Sequence, residues 1–169
     1  MKNLWRAFLV CFSMYSVLPM PQVEWKKENM KTVFCFFPLI GVLIGGASLG
    51  WYYLAAYLGW NCFVYAAVAA TIPIFITGGI HMDGYIDTCD ALFSYGNTDK
   101  KLEILKDPRV GAFGVMYTGV YFLLQFALFT EMKDHPENLI LLASGYVVSR
   151  VISGIAIVSI KTAKSTGLA

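Results

Sequence analysis

Charge is scarce in this chain. Of its 169 residues only 14 % are Asp, Glu, Lys or Arg, against about 25 % in an ordinary soluble domain, and the mean hydropathy is +0.60. That deficit argues against a soluble globular fold and for an integral membrane protein. A lysine- or arginine-rich block is missing and the formal net charge is only +2, so the electrostatic footprint of a nucleic-acid partner is absent. The four cysteines, Cys11, Cys35, Cys62 and Cys89, form no CxxC pair. Thiolate metal sites and a disulfide framework are therefore set aside, and the cysteines read as apolar thiols. Internal repeats and low-complexity linkers are missing too, so 1–169 reads as one domain.

What is present in quantity is apolar sequence. Four runs stand out, 32–58, 61–80, 111–130 and 138–160, each meeting or approaching the roughly 20 residues that cross a hydrocarbon core as a helix. The runs are continuous rather than alternating, which disfavours membrane strands. The N-terminal stretch "MKNLWRAFLVCFSMYSVLPMP" mimics a signal peptide but lacks a small-residue cleavage site and carries Arg6. It is expected to be a retained interfacial or entering helix. The predicted fold class is thus all-α, a polytopic membrane helix bundle of about four transmembrane helices. Within the first span, Gly41 and Gly45, then Gly46 and Gly50, recur four apart and predict close helix packing. Pro38 and Pro73 are expected to bend their helices.

Basic residues sort by side. Stretches 19–31, 81–110 and 161–169 hold three, four and two lysines or arginines, whereas 59–61 and 130–138 hold none and one. Nine against one predicts that the first group faces the cytoplasm. The expected location is the cytoplasmic (inner) membrane of a prokaryote, with the bilayer as partner and homo-oligomerisation left open.

In one cytoplasmic stretch, "GGIHMDGYIDTCDALFS" at 78–94, three aspartates follow an apolar run. At about 100° per residue, Asp83, Asp87 and Asp90 fall within about 60° of one another. Three carboxylates on one stripe repel unless a cation intervenes. An all-oxygen donor set suits Mg²⁺, or Mn²⁺, which in turn favours a diphosphate-bearing substrate. A lone acidic residue at a helix start would need only the helix dipole, but three on one stripe ask for more. Gly78, Gly79 and Gly84 would allow a tight turn and close ligand approach. His81 falls on the far side of that helix, so it reads as a boundary residue or a hydrogen-bonding partner behind the ligands.

Farther on, "LEILKDPRVGAFG" at 102–114 brings Lys106, Asp107 and Arg109 together before the third span. Lys106 and Arg109 could neutralise a phosphate, or simply form a positive flank. Arg150 falls near the middle of the fourth span. Exposed to lipid there it would cost at least about 2.5 kcal/mol, so it is expected to face the bundle interior and pair with a stripe aspartate or a substrate phosphate.

These stretches together resemble the cobalamin synthase family, the adenosylcobinamide-GDP ribazoletransferases. "GGIHMDGYIDTCDALFS" is similar to that family's glycine-glycine, histidine, D-G-x-x-D-T-x-D signature, and "LEILKDPRVGAFG" to its L-E-I-x-K-D-x-R-x-G-x-x-G signature. "FPLIGVLIGG" at 37–46, "LP" at 18–19 and "SR" at 149–150 match further segments, so the resemblance covers essentially the whole chain. Departures are mild at Tyr85, Ile86 and Ala91. Family members are usually longer and carry another glycine- and acid-rich signature, with no counterpart in the closing "KTAKSTGLA", so the resemblance leads to the expectation of a C-terminally short member.

The resemblance implies a Mg²⁺-dependent transfer in which α-ribazole or its 5′-phosphate attacks adenosylcobinamide-GDP and GMP leaves, the closing steps of cobalamin biosynthesis. Asp83, Asp87 and Asp90 would hold the metal and carry the catalysis, Lys106, Arg109 and Arg150 would meet substrate phosphates, and His81 and Asp107 would support them. The competing readings are a CDP-alcohol phosphotransferase-like or prenyltransferase-like enzyme and a cation transporter. The first expects D-G-x-x-A-R where Asp87-Thr88 stand, the second a further aspartate-rich motif, and the third acidic residues inside several spans. The topology is testable: a cysteine introduced as Asn97→Cys is expected to be shielded from an impermeant thiol reagent outside intact cells, and labelling there would invert the orientation.

Overall fold

The computed structural model describes residues 2–21, 23 and 30–160. The basic residues Lys26 and Lys27, and the closing stretch 161–169 with Lys161 and Lys164, lie outside these. The described elements are all helices: α1 (Lys2–Tyr15), α2 (Met30–Phe34), α3 (Phe37–Tyr57), α4 (Cys62–Thr77), α5 (Ile80–Phe93), α6 (Thr98–Ile104), α7 (Ala112–Met132) and α8 (Asn138–Ser159). Three stretches are long and apolar enough to cross a bilayer, Thr32–Tyr57, Ala112–Met132 and Asn138–Ser159, and the bent pair of α4 and α5 raises the number to four if counted as one span. On α7 and α8 large apolar side chains such as Leu123, Leu128, Ile140, Leu141 and Ile152 point outward. In water such a surface would be costly, whereas lipid tails solvate it. The chain is a membrane helix bundle.

Two predicted details are corrected. The expected span 61–80 is realised as α4, whose 16 residues reach about 24 Å at 1.5 Å each, short of a hydrocarbon core of about 30 Å. Asn61 starts it by accepting the Val64 N–H at 2.9 Å. Pro73 lies inside the helix, and the Thr77 hydroxyl donates to the Pro73 carbonyl at 2.7 Å. Pro38 does not bend a helix interior, because it occupies the opening residues of α3, where a proline's missing N–H has no partner to lose.

The glycine pairs divide. Gly41 and Gly45 are buried where α3 crosses α8: a Cβ on Gly41 would stand 2.6 Å from the Tyr146 carbonyl oxygen, and one on Gly45 3.1 Å from Ala143. Backbone meets backbone there, as small-residue spacing predicts. Around Gly46 and Gly50 a Cβ would meet nothing within 4 Å, so that pair takes no part in the interface.

The N-terminal α1 belongs to the bundle. Its Ala7, Val10 and Cys11 are buried with Val33, Phe37, Ile40 and Ile44 in one apolar cluster, while Arg6 stays exposed. Past α1, the Val17 N–H donates to the Ile76 carbonyl of α4 at 2.9 Å. A second cluster, Ala55, Tyr65, Ala66, Ala69, Ala70 and Phe129, joins α3, α4 and α7 at the other end. Gly41→Leu is expected to drive side chain into the α8 backbone and destabilise the bundle by about 1–3 kcal/mol or more, seen as a lower melting temperature in detergent. Gly46→Leu should leave melting unchanged.

Candidate functional site

The site begins where α4 stops. Gly78 and Gly79 have φ of +64° and +80°, a left-handed conformation that L side chains avoid. Two such residues in succession turn the chain by 99° between α4 and α5. The Gly79 N–H donates back to Ile74 O at 3.1 Å, and the Asp83 N–H donates to Gly79 O at 2.9 Å to open the new helix. A helix with three aspartates in 14 residues is costly to desolvate in a hydrocarbon core.

Along α5 the three aspartates have different surroundings. Asp83, in the first turn, is exposed, Asp87 one turn later is half-buried, and Asp90 is buried. Burial raises the Asp87 carboxyl above its usual range, and the charges of Asp83 and Asp90 push the same way. That mutual influence is what one shared stripe entails. Asp90 has engaged both of its oxygens: the Gly111 N–H donates to Oδ2 at 2.7 Å and the Gly114 N–H to Oδ1 at 2.8 Å. These are orphan donors at the start of α7, so a carboxylate from α5 caps a different helix. The glycines are required by this contact, because a Cβ on Gly114 would lie 2.5 Å from an Asp90 oxygen.

Among the described residues, no three His, Cys, Asp or Glu side chains are gathered to hold a metal ion. Asp83 and Asp87, four apart, are the stripe carboxylates whose oxygens stay outward. Two carboxylates, completed by water and substrate oxygens, fit the octahedral, oxygen-only preference of Mg²⁺. Nothing within 4 Å would meet a Cβ on Gly84, so the surface beside Asp83 is open.

The basic residues of the second motif are exposed in the turn between α6 and α7. Arg109 forks onto Asp107, with Nε donating to Oδ1 at 2.9 Å and Nη2 to Oδ2 at 2.7 Å. Those side-chain bonds, followed by the Arg109 backbone N–H on Oδ1, hold the Asp107 carboxyl down to about 2. Asp107 thus orients Arg109 rather than a metal ligand. Lys106 is exposed. Lys101, not singled out from the sequence, donates from Nζ to Leu92 O at 2.7 Å and ties α6 to the end of α5.

Arg150 and His81 lie elsewhere, on the bundle side. Arg150 is 9 % exposed, with its Cζ 5.9 Å from the Phe37 ring centroid. Its Nη1 donates to Ser149 Oγ at 3.3 Å, and no aspartate or glutamate forms an ion pair with it among the described residues. The His81 ring packs against Phe37 at 5.7 Å and Tyr15 at 6.0 Å between centroids. The structure therefore brings Asp90 to the second motif, whereas Arg150 is buried and Lys106 and Arg109 are exposed. The Asp90 cap went unread in the sequence, although its signal was present as a G-x-x-G at 111–114 a fixed distance from an aspartate.

Residues 7–169 match the profile of the cobalamin-5-phosphate synthase family. Over 168 residues, 99 % of its length, the chain is 45 % identical to the adenosylcobinamide-GDP ribazoletransferase of Lachnoclostridium phytofermentans, of which it covers 62 %. It is 34 % identical over 168 residues to the protein of that name from Clostridium botulinum, covering 67 % of it. A Clostridium perfringens relative is 36 % identical over 160 residues, with 63 % of its length covered. The chain thus spans about three fifths to two thirds of these relatives. No solved structure matches it.

Loss of the Asp90 cap should be felt as stability. Asp90→Ala strands two N–H groups at about 1–3 kcal/mol each, and Gly114→Ala meets the carboxylate, so both are expected to melt several degrees lower in detergent. Thr88→Ala, which removes only an exposed hydroxyl bonded to Gly84 O within its own turn, should melt as the parent does.

Proposed function

Because this chain belongs to the cobalamin-5-phosphate synthase family, we propose that it carries the reaction centre of an adenosylcobinamide-GDP ribazoletransferase. The observation that carries the reading is the outward pair of carboxylates, Asp83 and Asp87, on a helix held to the basic second motif by the Asp90 cap. In the reaction, a ribose hydroxyl of α-ribazole, or of its 5′-phosphate, attacks the cobinamide-linked phosphorus of adenosylcobinamide-GDP. A P–O bond forms to the ribose, the bond within the diphosphate breaks, and GMP leaves with its electron pair. The product is adenosylcobalamin or its 5′-phosphate.

Asp83 and Asp87 would hold Mg²⁺, with Mn²⁺ as a substitute; when bound, such an ion neutralises charge on the departing phosphate. Asp90 belongs to the same stripe and serves the site by holding α5 against α7. One of the stripe carboxylates would take the hydroxyl proton. Lys106 and Arg109 stand at the surface beside this helix, ready to meet phosphate oxygens, with Asp107 fixing the plane of the Arg109 guanidinium. Nine basic residues against one by side support a site at the cytoplasmic face of the inner membrane, where water-soluble nucleotides arrive.

In membranes containing the chain, or the longer Lachnoclostridium relative, Asp83→Asn and Asp87→Asn are each expected to cut Mg²⁺-dependent GMP release at least about a hundredfold, the scale of losing one electrostatic group at a reaction centre. EDTA should reproduce the loss in the parent and added Mg²⁺ should restore it. Near-normal turnover by Asp83→Asn would remove it from the site.

A further inference from the structure

Four buried side-chain atoms among the described residues find no hydrogen-bond partner: Nδ1 and Nε2 of His81, Oγ1 of Thr118 and Nε of Arg150. Native interiors leave very few such atoms, and each calls for a reason. Two of these residues, on different helices, share one neighbourhood. His81 and Arg150 approach the same Phe37 ring, at 5.7 Å and 5.9 Å.

The chemistry of this neighbourhood is one-sided. It holds a guanidinium, an imidazole and the Ser149 hydroxyl. The carboxylates of α5 are turned elsewhere: Asp83 and Asp87 outward, Asp90 onto Gly111 and Gly114. A guanidinium that is nine-tenths buried without a carboxylate is an uncompensated charge, tolerable where an anion completes it. Its planar fork of donors matches tetrahedral oxyanions. Phe37 and Tyr15 form an apolar wall that would strengthen such a contact.

We infer that Arg150 and His81 form a metal-independent oxyanion site on the bundle side of α5, which takes a phosphate group of a substrate. The inference rests on the ribazoletransferase reading for what that substrate is, and adds a second phosphate position on the far side of the helix from Asp83. Two sources share the chemistry, a phosphate monoester and the diphosphate of the donor.

The test is titration calorimetry of the full chain in detergent with EDTA, using inorganic phosphate and pyrophosphate as probes. Saturable binding is expected, weakened about tenfold or more by Arg150→Gln, which loses a charge-assisted contact, weakened less by His81→Gln, and unchanged by Asp83→Asn. Preference for phosphate assigns the site to a monoester, and preference for pyrophosphate to the diphosphate. Retention volume and helical circular dichroism check folding, and if Arg150→Gln fails them, Arg150→Lys and His81→Gln carry the comparison. Absence of saturable binding, or binding that survives both substitutions, overturns the site. Because no metal or turnover enters this measurement, its failure is distinct from a failure of Asp83→Asn to stop GMP release.

Discussion

The arrangement of the candidate site depends on one carboxylate that does no outward-facing chemistry. Asp90 accepts N–H groups from Gly111 and Gly114 and so joins two segments twenty-odd residues apart in sequence. Without it, α5 would be held to α7 by aromatic contacts such as Phe93 on Tyr117 at 4.0 Å and by the Tyr85 hydroxyl donating to Tyr117 O at 3.4 Å, and by Lys101 at its C-terminal end. Apolar contacts allow sliding, whereas a charged acceptor with two donors fixes register. The turn bearing Lys106 and Arg109 ends at Gly111, so the same bond that caps α7 also sets where those cations emerge relative to Asp83 and Asp87.

A second constraint is the left-handed pair Gly78-Gly79. A straight continuation of α4 would have carried three aspartates and a histidine onward along the axis of an apolar helix. The 99° turn gives α5 two unlike sides instead, one with outward carboxylates and one with His81 against Phe37 and Tyr15. Helical spacing alone sets the opposition between the sides. Which side meets the bundle is decided by the turn and by the aromatic contacts.

Much of this was legible in the residues. Continuous apolar runs predict spanning helices because the bilayer thickness imposes a length, and α3, α7 and α8 obey it. The aspartate stripe follows from a period of 3.6 residues, and burial of Arg150 from the cost of charge in lipid. What was not legible depended on pairing between segments. Gly41 and Gly46 have the same local signal, yet only Gly41 meets α8, and spacing within one helix says nothing about its neighbour. Likewise three aspartates at helical spacing are equivalent until α7 supplies N–H groups to one of them. Arg109 and Asp107 are two apart in a turn, and their fork comes from local backbone geometry that the count of charges does not contain.

The outcome for Arg150 shows how such pairing changes a chemical reading. A buried arginine in a span ordinarily finds a carboxylate, and three were available on α5. Each is otherwise engaged or turned away, and the guanidinium instead lies over Phe37 with Nε unpaired. The Asp90 carboxylate goes to glycine N–H groups that are backbone donors already fixed at a helix start, so their bonds require little further ordering. On α5 the carboxylate stripe and His81, which shares the Phe37 ring with Arg150, fall on opposite sides of one helix, so the guanidinium is left without a carboxylate partner among the described residues.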